Sequence, residues 1–466
     1  MLRIFKQYYP IRNIFFVIGE GLVIYASVFL ASWMLIKTEP AGFSHWLWLK
    51  IFLITFVCQT LLYYNDLYDL TVTDSLLELG IRLLQSLGAS AIFLALVYII
   101  FPGLIIGQGI FAVSIALIIL LIVSWRFGYK LILDHNLFNR KIILMGSGDL
   151  AKNIINEISK KKDSGYTVSV NVLERSGNKD SANKKYTTSM IYRQNYEGLC
   201  DLVQELNINM IVVAMTERRG ILPVKELIKC RVKGIEIIEG TSFYEMLNGK
   251  LIVEQTNPAW LIFSEGFRKS RTRRFLKRTL DIILSIGLFI LLLPVIIITA
   301  ILIKMDSKGS VLFSQDRVGE NKKTYMVYKF RSMVSDAEEK SGPVWAEDND
   351  NRVTLVGRFI RKWRVDELPQ LWNVLIGNMS FVGPRPEREF FVKKLQEIIP
   401  YYEERFSVKP GITGWAQVCY GYGASVEDAV EKLNYDLFYI KNMAFIMDLM
   451  IVLRTIKIVL FSKGAR

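Results

Sequence analysis

Arg268-Lys-Ser-Arg-Thr-Arg-Arg-Phe-Leu-Lys-Arg278 runs, after Thr279, into Leu280-Asp-Ile-Ile-Leu-Ser-Ile-Gly-Leu-Phe-Ile-Leu-Leu-Leu-Pro294-Val-Ile-Ile-Ile-Thr-Ala-Ile-Leu-Ile303. Basic side chains placed directly before an apolar run bind anionic lipid headgroups and mark the cytoplasmic face of a membrane. The run is long enough to span, yet Lys304, Lys308, Arg317, Lys322 and Lys323 follow it. A spanning helix would put one of these positive flanks outside, against the positive-inside bias. Pro294 lies near the middle and removes one helical hydrogen bond, which permits a sharp bend. The expectation is a re-entrant hairpin over 276–304, entering and leaving on the cytoplasmic side.

Upstream, the chain reads as membrane-embedded. Of its 466 residues 52% are hydrophobic, and the mean hydropathy of +0.29 is high for a soluble protein. Four apolar runs, 14–36, 46–64, 81–101 and 104–125, are each long enough for a bilayer core of about 30 Å. No cleavable signal peptide is evident, since apolar sequence begins at once. Arg3, Lys6 and Arg12 precede the first run, and Arg126, Lys130, Arg140 and Lys141 follow the fourth. Both ends are therefore expected on the cytoplasmic side, as an even number of spans requires. The link between the second and third runs is acidic, with Asp66, Asp69, Asp74 and Glu78. Glu20, inside the first run, is costly facing lipid; a partner on a neighbouring helix and a shallow interfacial position both stay open.

Between these membrane parts strands and helices alternate. Lys141 to Met145 reads as a strand, Gly146-Ser-Gly148-Asp-Leu-Ala151 as a turn, and Lys152 to Lys160 as a helix. Further strands are read at Thr167 to Leu173, Met210 to Met215 and Ile235 to Ile238, with a helix around Leu202 to Leu206. A G-x-G-x-x-A turn between strand and helix can cradle a pyrophosphate, with Glu174 placed for a ribose hydroxyl. It packs a helix closely on a sheet whether or not a ligand binds, so nucleotide binding stays open.

Downstream of the hairpin, cations and acids come in dense motifs. Gln315-Asp-Arg317-Val-Gly319 and Tyr328-Lys329-Phe-Arg331-Ser-Met333 read as strand-like, and Trp345 to Asp350 and Gly357-Arg358 follow. Asp366-Glu367 then stands behind Arg361, Lys362 and Arg364 and ahead of Pro369 and Gly383-Pro384-Arg385-Pro386. Neighbouring carboxylates among arginines, at what reads as a helix start, suit a reaction at phosphorus. A carboxylate attacks or holds a divalent cation, and guanidinium groups clamp phosphoryl oxygens. Lys409-Pro-Gly-Ile-Thr-Gly-Trp-Ala-Gln417 suits a loop where backbone approaches a ligand. The only histidines, His45 and His135, lie far upstream, which disfavours histidine-based hydrolases and zinc chemistry. Cys58, Cys200, Cys230 and Cys419 are scattered, which excludes a disulfide framework and fits a reducing compartment. The net charge of +14 points to an anionic partner: nucleic acid, anionic lipid or a phosphorylated substrate.

Together these motifs closely resemble the bacterial sugar transferases that act on polyprenyl phosphate, the monotopic phosphoglycosyl transferases, and among them the large exopolysaccharide-type members. Lys277-Arg278 with Asp281, Ser285 and Pro294, Lys329 to Met333, Asp366 to Gln370, Gly383 to Pro386, and Lys409 to Gly414 carry the resemblance. Tyr435-Asp436, Tyr439 to Asn442, Asp448 and Thr455 extend it to the C-terminal helices. One departure is Trp363-Arg364-Val365 before the acid pair, where many members carry a short polar residue and Leu. It touches local packing and leaves the pair itself intact.

The resemblance implies a membrane protein with four transmembrane helices in 1–136, a Rossmann-like α/β domain in 137–262, and an α/β catalytic domain with the hairpin in 263–466. It implies that Asp366 attacks the β-phosphate of a UDP-sugar, that UMP leaves, and that undecaprenyl phosphate takes the sugar phosphate from the aspartate. Mg²⁺ would be held by Asp366 and phosphate oxygens, and Glu367 would orient groups or handle protons. Arg361 and Arg385 match phosphate-contacting arginines, helped by Lys277, Arg278, Lys329 and Arg331. The implied setting is the bacterial inner membrane, with the catalytic domain on the cytoplasmic face. Implied partners are UDP-sugar, undecaprenyl phosphate, membrane lipids and a second copy in a homodimer, with no nucleic acid. Two rivals stay open. An NAD-dependent oxidoreductase built on the Gly146 turn would need a Tyr-x-x-x-Lys pair, which is not evident. A membrane-anchored nucleotide-sensing scaffold needs no chemistry at all. Glucose, galactose and N-acetylated sugars remain alternatives as the transferred group.

Overall fold

The computed structural model describes residues 2–4, 7–9, 11–36, 46–68, 76–107, 109–134, 139–161, 164–174, 189–193, 196–215, 222–255, 266–267, 270–334, 352–421, 423 and 425–460. The Trp345 to Asp350 motif, Asp69, Asp74 and the expected boundaries at 136/137 and 262/263 lie outside these residues. The chain forms two compact units, Met1–Ile4 with Tyr8–Gly240, and Phe5–Gln7 with Thr241–Arg466.

In the first unit, α1 (Ile11–Ile36), α2 (Leu47–Tyr64), α3 (Leu76–Ile100) and α4 (Ile110–Asp134) are the four apolar helices. Each contains a segment long and apolar enough to cross a membrane. The fourth starts later than hydropathy suggests. Pro102–Leu104 forms a single 3-10 turn, and Gly109 takes a left-handed φ of +76°, so Leu104, Ile105 and Ile106 do not join the helix. Glu20 is fully buried and paired. Nε of Arg126 donates to its Oε1 at 2.8 Å, and Nη1 of Arg126 donates to the Leu67 carbonyl at 2.7 Å. The guanidinium also lies 5.3 Å from the Phe16 ring centroid. Two opposite charges satisfy each other where a lone one would be prohibitive. Arg126, read above as a flanking topological charge, is the partner that Glu20 required.

The α/β part of this unit is one parallel sheet. Its strands are β1 (Arg140–Met145), β2 (Tyr166–Glu174), β3 (Ser189–Arg193), β4 (Met210–Val213) and β5 (Glu236–Glu239), in the order β3-β2-β1-β4-β5. The connecting helices include α5 (Asp149–Lys160), α6 (Leu199–Glu205) and α7 (Val224–Val232). In the central strands, residues 142–145 of β1 and all of β4 are apolar and buried, as parallel sheets demand. Strand β3 has no counterpart in the sequence reading. Gly146 has φ +130°, and a Cβ there would stand 2.4 Å from the Ala214 carbonyl oxygen. That glycine is required by strand packing alone.

The second unit begins with α8 (Gly240–Asn248) and then the bent pair α9 (Arg271–Leu291) and α10 (Leu293–Asp306), which meet at 62°. The break falls at Leu292. Pro294 sits in the first turn of α10, where its missing N–H is no loss. Strands β6 (Leu312–Val318) and β7 (Thr324–Phe330) form an antiparallel hairpin. Helices α11 (Leu355–Lys362) and α12 (Gln370–Ile376) flank the acid pair, and β8 (Ser380–Val382) follows. After α13 (Glu389–Ile398), β9 (Gly411–Thr413) pairs parallel with β8. The chain then forms α14 (Trp415–Cys419), α15 (Val426–Asn442) and α16 (Phe445–Leu460). Leu371, Phe381, Val382, Tyr402, Leu437, Tyr439 and Met447 lie in one apolar core that joins these elements.

Candidate active site

The acid pair sits between two helices. Thr354 caps α11 by accepting from Gly357 N at 3.0 Å. The chain then reverses through Arg364, whose left-handed φ of +53° is uncommon for a side-chain-bearing residue. A 3-10 turn, Val365–Glu367, carries the two acids, and Pro369 leads into α12. The acids thus occupy a tight turn between helices, one step ahead of the expected helix start.

The two carboxylates have different surroundings. Glu367 is 7% exposed. Its Oε1 accepts from Arg385 Nη2 at 2.7 Å and lies 3.3 Å from Lys329 Nζ, while its Oε2 lies 3.7 Å from Arg364 Nη1. Burial alone would raise its pKa, but the charges of Arg385, Lys329 and Arg364 and the Arg385 hydrogen bond hold it well below the usual range. Burial pushes Asp366 up to about 6, and the adjacent Glu367 charge adds to this, against the pull of Lys329, Arg385 and Arg361. Asp366 itself is half-buried. Lys329 is lowered by burial, with Glu367 opposing, and Arg385 is raised by Glu367. The turn therefore holds one carboxylate saturated by cations and one accessible beside them.

The cations named from the sequence divide into two groups. Lys329, from β7, and Arg385, from the loop after β8, converge on Glu367, and Arg361 contributes to the field at Asp366. Lys277, Arg278 and Arg331 do not join this cluster; their hydrogen bonds go largely to backbone carbonyls. Arg278 donates to the carbonyls of Val374 and Leu375 at 2.6 and 2.8 Å, closing the C-terminus of α12. Arg331 donates to the carbonyls of Lys308 and Ser307 at 2.9 and 2.8 Å, just beyond α10. Lys277 donates to the Val382 carbonyl at 2.9 Å and to Asp448 at 2.9 Å.

The Lys409 to Gln417 loop, expected to suit a backbone approach to a ligand, is closed by protein at Gly411. A Cβ on Gly383 would meet the Lys409 carbonyl oxygen at 2.4 Å, and one on Gly411 would meet Gly383 N at 2.1 Å. Gly383-Pro-Arg-Pro386 and Lys409 to Gly414 are thus two halves of one close backbone crossing, and the space at these glycines is filled by protein. Their joint effect is to present Arg385 to Glu367.

Sequence reasoning missed Arg405. It is buried, donates through Nη2 to Asp436 Oδ2 at 2.9 Å and to the Arg385 carbonyl at 3.1 Å, and through Nη1 to the Tyr402 hydroxyl at 2.6 Å. Nothing local in Glu403-Glu404-Arg405-Phe406 signals these distant partners. Arg317, quoted from its motif, lies 3.9 Å from Glu387 and donates to Gln315 Oε1 at 2.7 Å.

Among the described residues no three His, Cys, Asp or Glu side chains gather as a metal cage. Mg²⁺ does not need one, since it commonly binds through one or two carboxylates plus substrate phosphates and water. Asp366 fits that role. Glu367, its oxygens engaged by cations, does not.

Residues 272–462 match a family model described as bacterial sugar transferase, and residues 64–238 match one described as CoA-binding domain. The exopolysaccharide production protein PSS of Rhizobium leguminosarum bv. phaseoli is 41% identical over 186 residues, 39% of this chain and 93% of that protein. The UDP-N-acetylgalactosamine-undecaprenyl-phosphate N-acetylgalactosaminephosphotransferase of Aeromonas hydrophila is 41% identical over 240 residues, 52% of this chain. The UDP-glucose:undecaprenyl-phosphate glucose-1-phosphate transferase of Escherichia coli K12 is 41% identical over 189 residues, 40% of this chain. The matched stretches span 56% and 40% of these last two relatives' own lengths.

Proposed function

This chain belongs to the bacterial sugar transferase family, and from that premise we propose that it transfers a sugar-1-phosphate from a UDP-sugar to undecaprenyl phosphate. The observation that carries the mechanism is the unequal acid pair: Glu367 saturated by Arg385, Lys329 and Arg364, and Asp366 accessible beside it. An Oδ of Asp366 attacks the β-phosphorus. The bond from that phosphorus to the bridging oxygen breaks, and UMP leaves with the electron pair. A phosphate oxygen of undecaprenyl phosphate then attacks the same phosphorus and releases the Asp366 carboxylate. Neither step requires a histidine or a net proton transfer. Arg361, Arg385 and Lys329 bear on the phosphoryl oxygens, and Glu367 keeps Arg385 and Lys329 oriented. Mg²⁺, bound through Asp366 and substrate oxygens, would lower repulsion between two anions.

The setting follows from the same reading. The 62° bend of α9 and α10 and their exposed apolar surface, including Ile290, Leu291, Ile297 and Ile298, support a re-entrant hairpin on the cytoplasmic face of the inner membrane. There the lipid phosphate meets a soluble nucleotide sugar. The parallel order β3-β2-β1-β4-β5 within 140–239 supports a Rossmann-like domain in the region expected over 137–262, following the expected spans in 1–136 and preceding the expected catalytic domain in 263–466. The product would start exopolysaccharide, capsule or O-antigen assembly.

The test uses membranes given radiolabelled UDP-sugars, Mg²⁺ and undecaprenyl phosphate. Wild type should form lipid-linked product, and Asp366→Asn should lose activity by about 10⁴-fold or more. Equal product in both sinks the nucleophile assignment, and none in either with any UDP-sugar favours the scaffold.

A further inference from the structure

Asp281, Tyr439 and Asp448 belong to the family-like motifs, yet the proposed chemistry leaves them without a task. The structure brings them together with Lys277 against β8. Lys277 Nζ donates to the Val382 carbonyl at 2.9 Å, to the Tyr439 hydroxyl at 3.0 Å and to Asp448 Oδ2 at 2.9 Å. The hydroxyl has one proton. Its shorter contact is Asp448 Oδ1 at 2.7 Å, so the Val382 carbonyl is left to Lys277. One turn further along α9, Asp281 Oδ1 accepts from Phe381 N and from Ser380 Oγ, each at 2.9 Å. Tyr439, Asp448 and Asp281 are at most 3% exposed. Buried charges placed on backbone groups rather than on a ligand are there to hold that backbone.

What they hold leads straight to the acids. Arg385, three residues beyond Val382, donates to Glu367. Arg278, beside Lys277, closes the far end of α12, the helix that follows Asp366-Glu367. One turn of α9 therefore grips the segment 365–385 at both its helix and its strand. That turn is also where the basic run meets the apolar pair.

We propose that Lys277, Asp281, Tyr439 and Asp448 are positioning residues that fix β8, and through it Arg385 and the acid pair, to the basic turn of the bent helix pair. The proposal rests on the transferase reading only for its kinetic consequence; the grip on β8 is a claim about the fold. Because the same turn anchors at the apolar surface, the clamp sets the height at which Asp366 meets a lipid phosphate. Lys277 accordingly acts through Arg385 and touches no substrate.

The test takes the purified full chain with Mg²⁺ and undecaprenyl phosphate and follows UMP release from UDP-N-acetylgalactosamine, UDP-glucose and UDP-galactose, with amide hydrogen exchange over 378–388 as the second readout. Tyr439→Phe and Asp448→Asn keep shape while breaking the network. Each should lower kcat by about 10- to 100-fold, the effect of a misplacement near 1 Å, with KM within about twofold and faster exchange at Phe381. Lys277→Arg should recover part of the rate lost in Lys277→Met. Unchanged kcat and exchange in both Tyr439→Phe and Asp448→Asn overturn the proposal. So does a rise in KM at constant kcat for Lys277→Met, which would make Lys277 a substrate contact. If wild type releases no UMP from any of the three, but exchange still rises in the variants, the clamp stands and the transferase reading fails.

Discussion

The cations around Glu367 and those along the basic turn of α9 differ in what they neutralise. Lys329, Arg364 and Arg385 surround a side-chain carboxylate and leave Asp366 beside them half-exposed. Arg278 and Arg331 are spent on the carbonyls that end α12 and follow α10, where cations complement the helix dipole. The same residue type, in motifs of similar density, builds an electrostatic field in one region and a framework in the other. Motif membership does not separate the two roles; the acceptor does.

That contrast is sharpest in a pair of substitutions. Arg385→Met removes the guanidinium that holds Glu367 and, in the proposed mechanism, the phosphoryl oxygens, and should lower kcat by about 10²- to 10³-fold, as loss of one preorganised donor does. Its unfolding midpoint should move far less than its rate. Arg278→Met should do the reverse. At the end of α12 the Leu375 carbonyl loses its donor and the Val374 carbonyl keeps only the Gly377 N–H, at about 1–3 kcal/mol, read as a lower urea midpoint, while KM for the nucleotide sugar stays put. If Arg278→Met raises KM several-fold with stability intact, the division between field and framework is wrong and the resemblance-based phosphate role returns.

How much of this was legible follows physical range. The four apolar helices, a bend near Pro294 and the strand-like segments bearing Arg317 and Lys329 are local patterns of hydropathy and charge, and they read off the chain. So did the acid pair. The pairing of those two segments as a hairpin did not. For Glu20 the sequence left a helix partner and a shallow interfacial position both open, and the partner, Arg126, lies 106 positions away, beyond any periodicity. Arg405 with Asp436, and Lys277 with Asp448, are hidden for the same reason. Strand β3, Ser189 to Arg193, carries an apolar run of only Met190, Ile191 and Tyr192, too short to stand out in a search for apolar runs. Glycines differ in another way: the turn at Gly146 left ligand binding open and the loop at Gly411 reads as suited to a ligand, and backbone fills the space at both.

The smallest effect probes the inequality within the pair itself. In the proposed mechanism Asp366 must be ionised to attack, and with its pKa pushed up to about 6 the rate of UMP release should fall about tenfold per pH unit below that value. Folding does not mask this limb. Glu367 is held below its ordinary 4.5, so the stability it contributes is present above that value and is lost only as pH falls through its lower folded pKa. Asp366, raised above its ordinary 3.8, has the opposite sign: its burial opposes folding fully above about 6 and is relieved as pH drops. Between pH 5 and 8 the fold should therefore hold while the rate changes. Glu367→Gln deletes the neighbouring negative charge and releases Arg385 and Lys329 toward Asp366. All three changes favour the carboxylate form, so the acid limb should move to lower pH even as the maximal rate declines. Measured pH profiles of UMP release for the two proteins decide it. A limb that stays in place would mean that the titrating group is not Asp366, and that Glu367 differs from its neighbour in exposure alone.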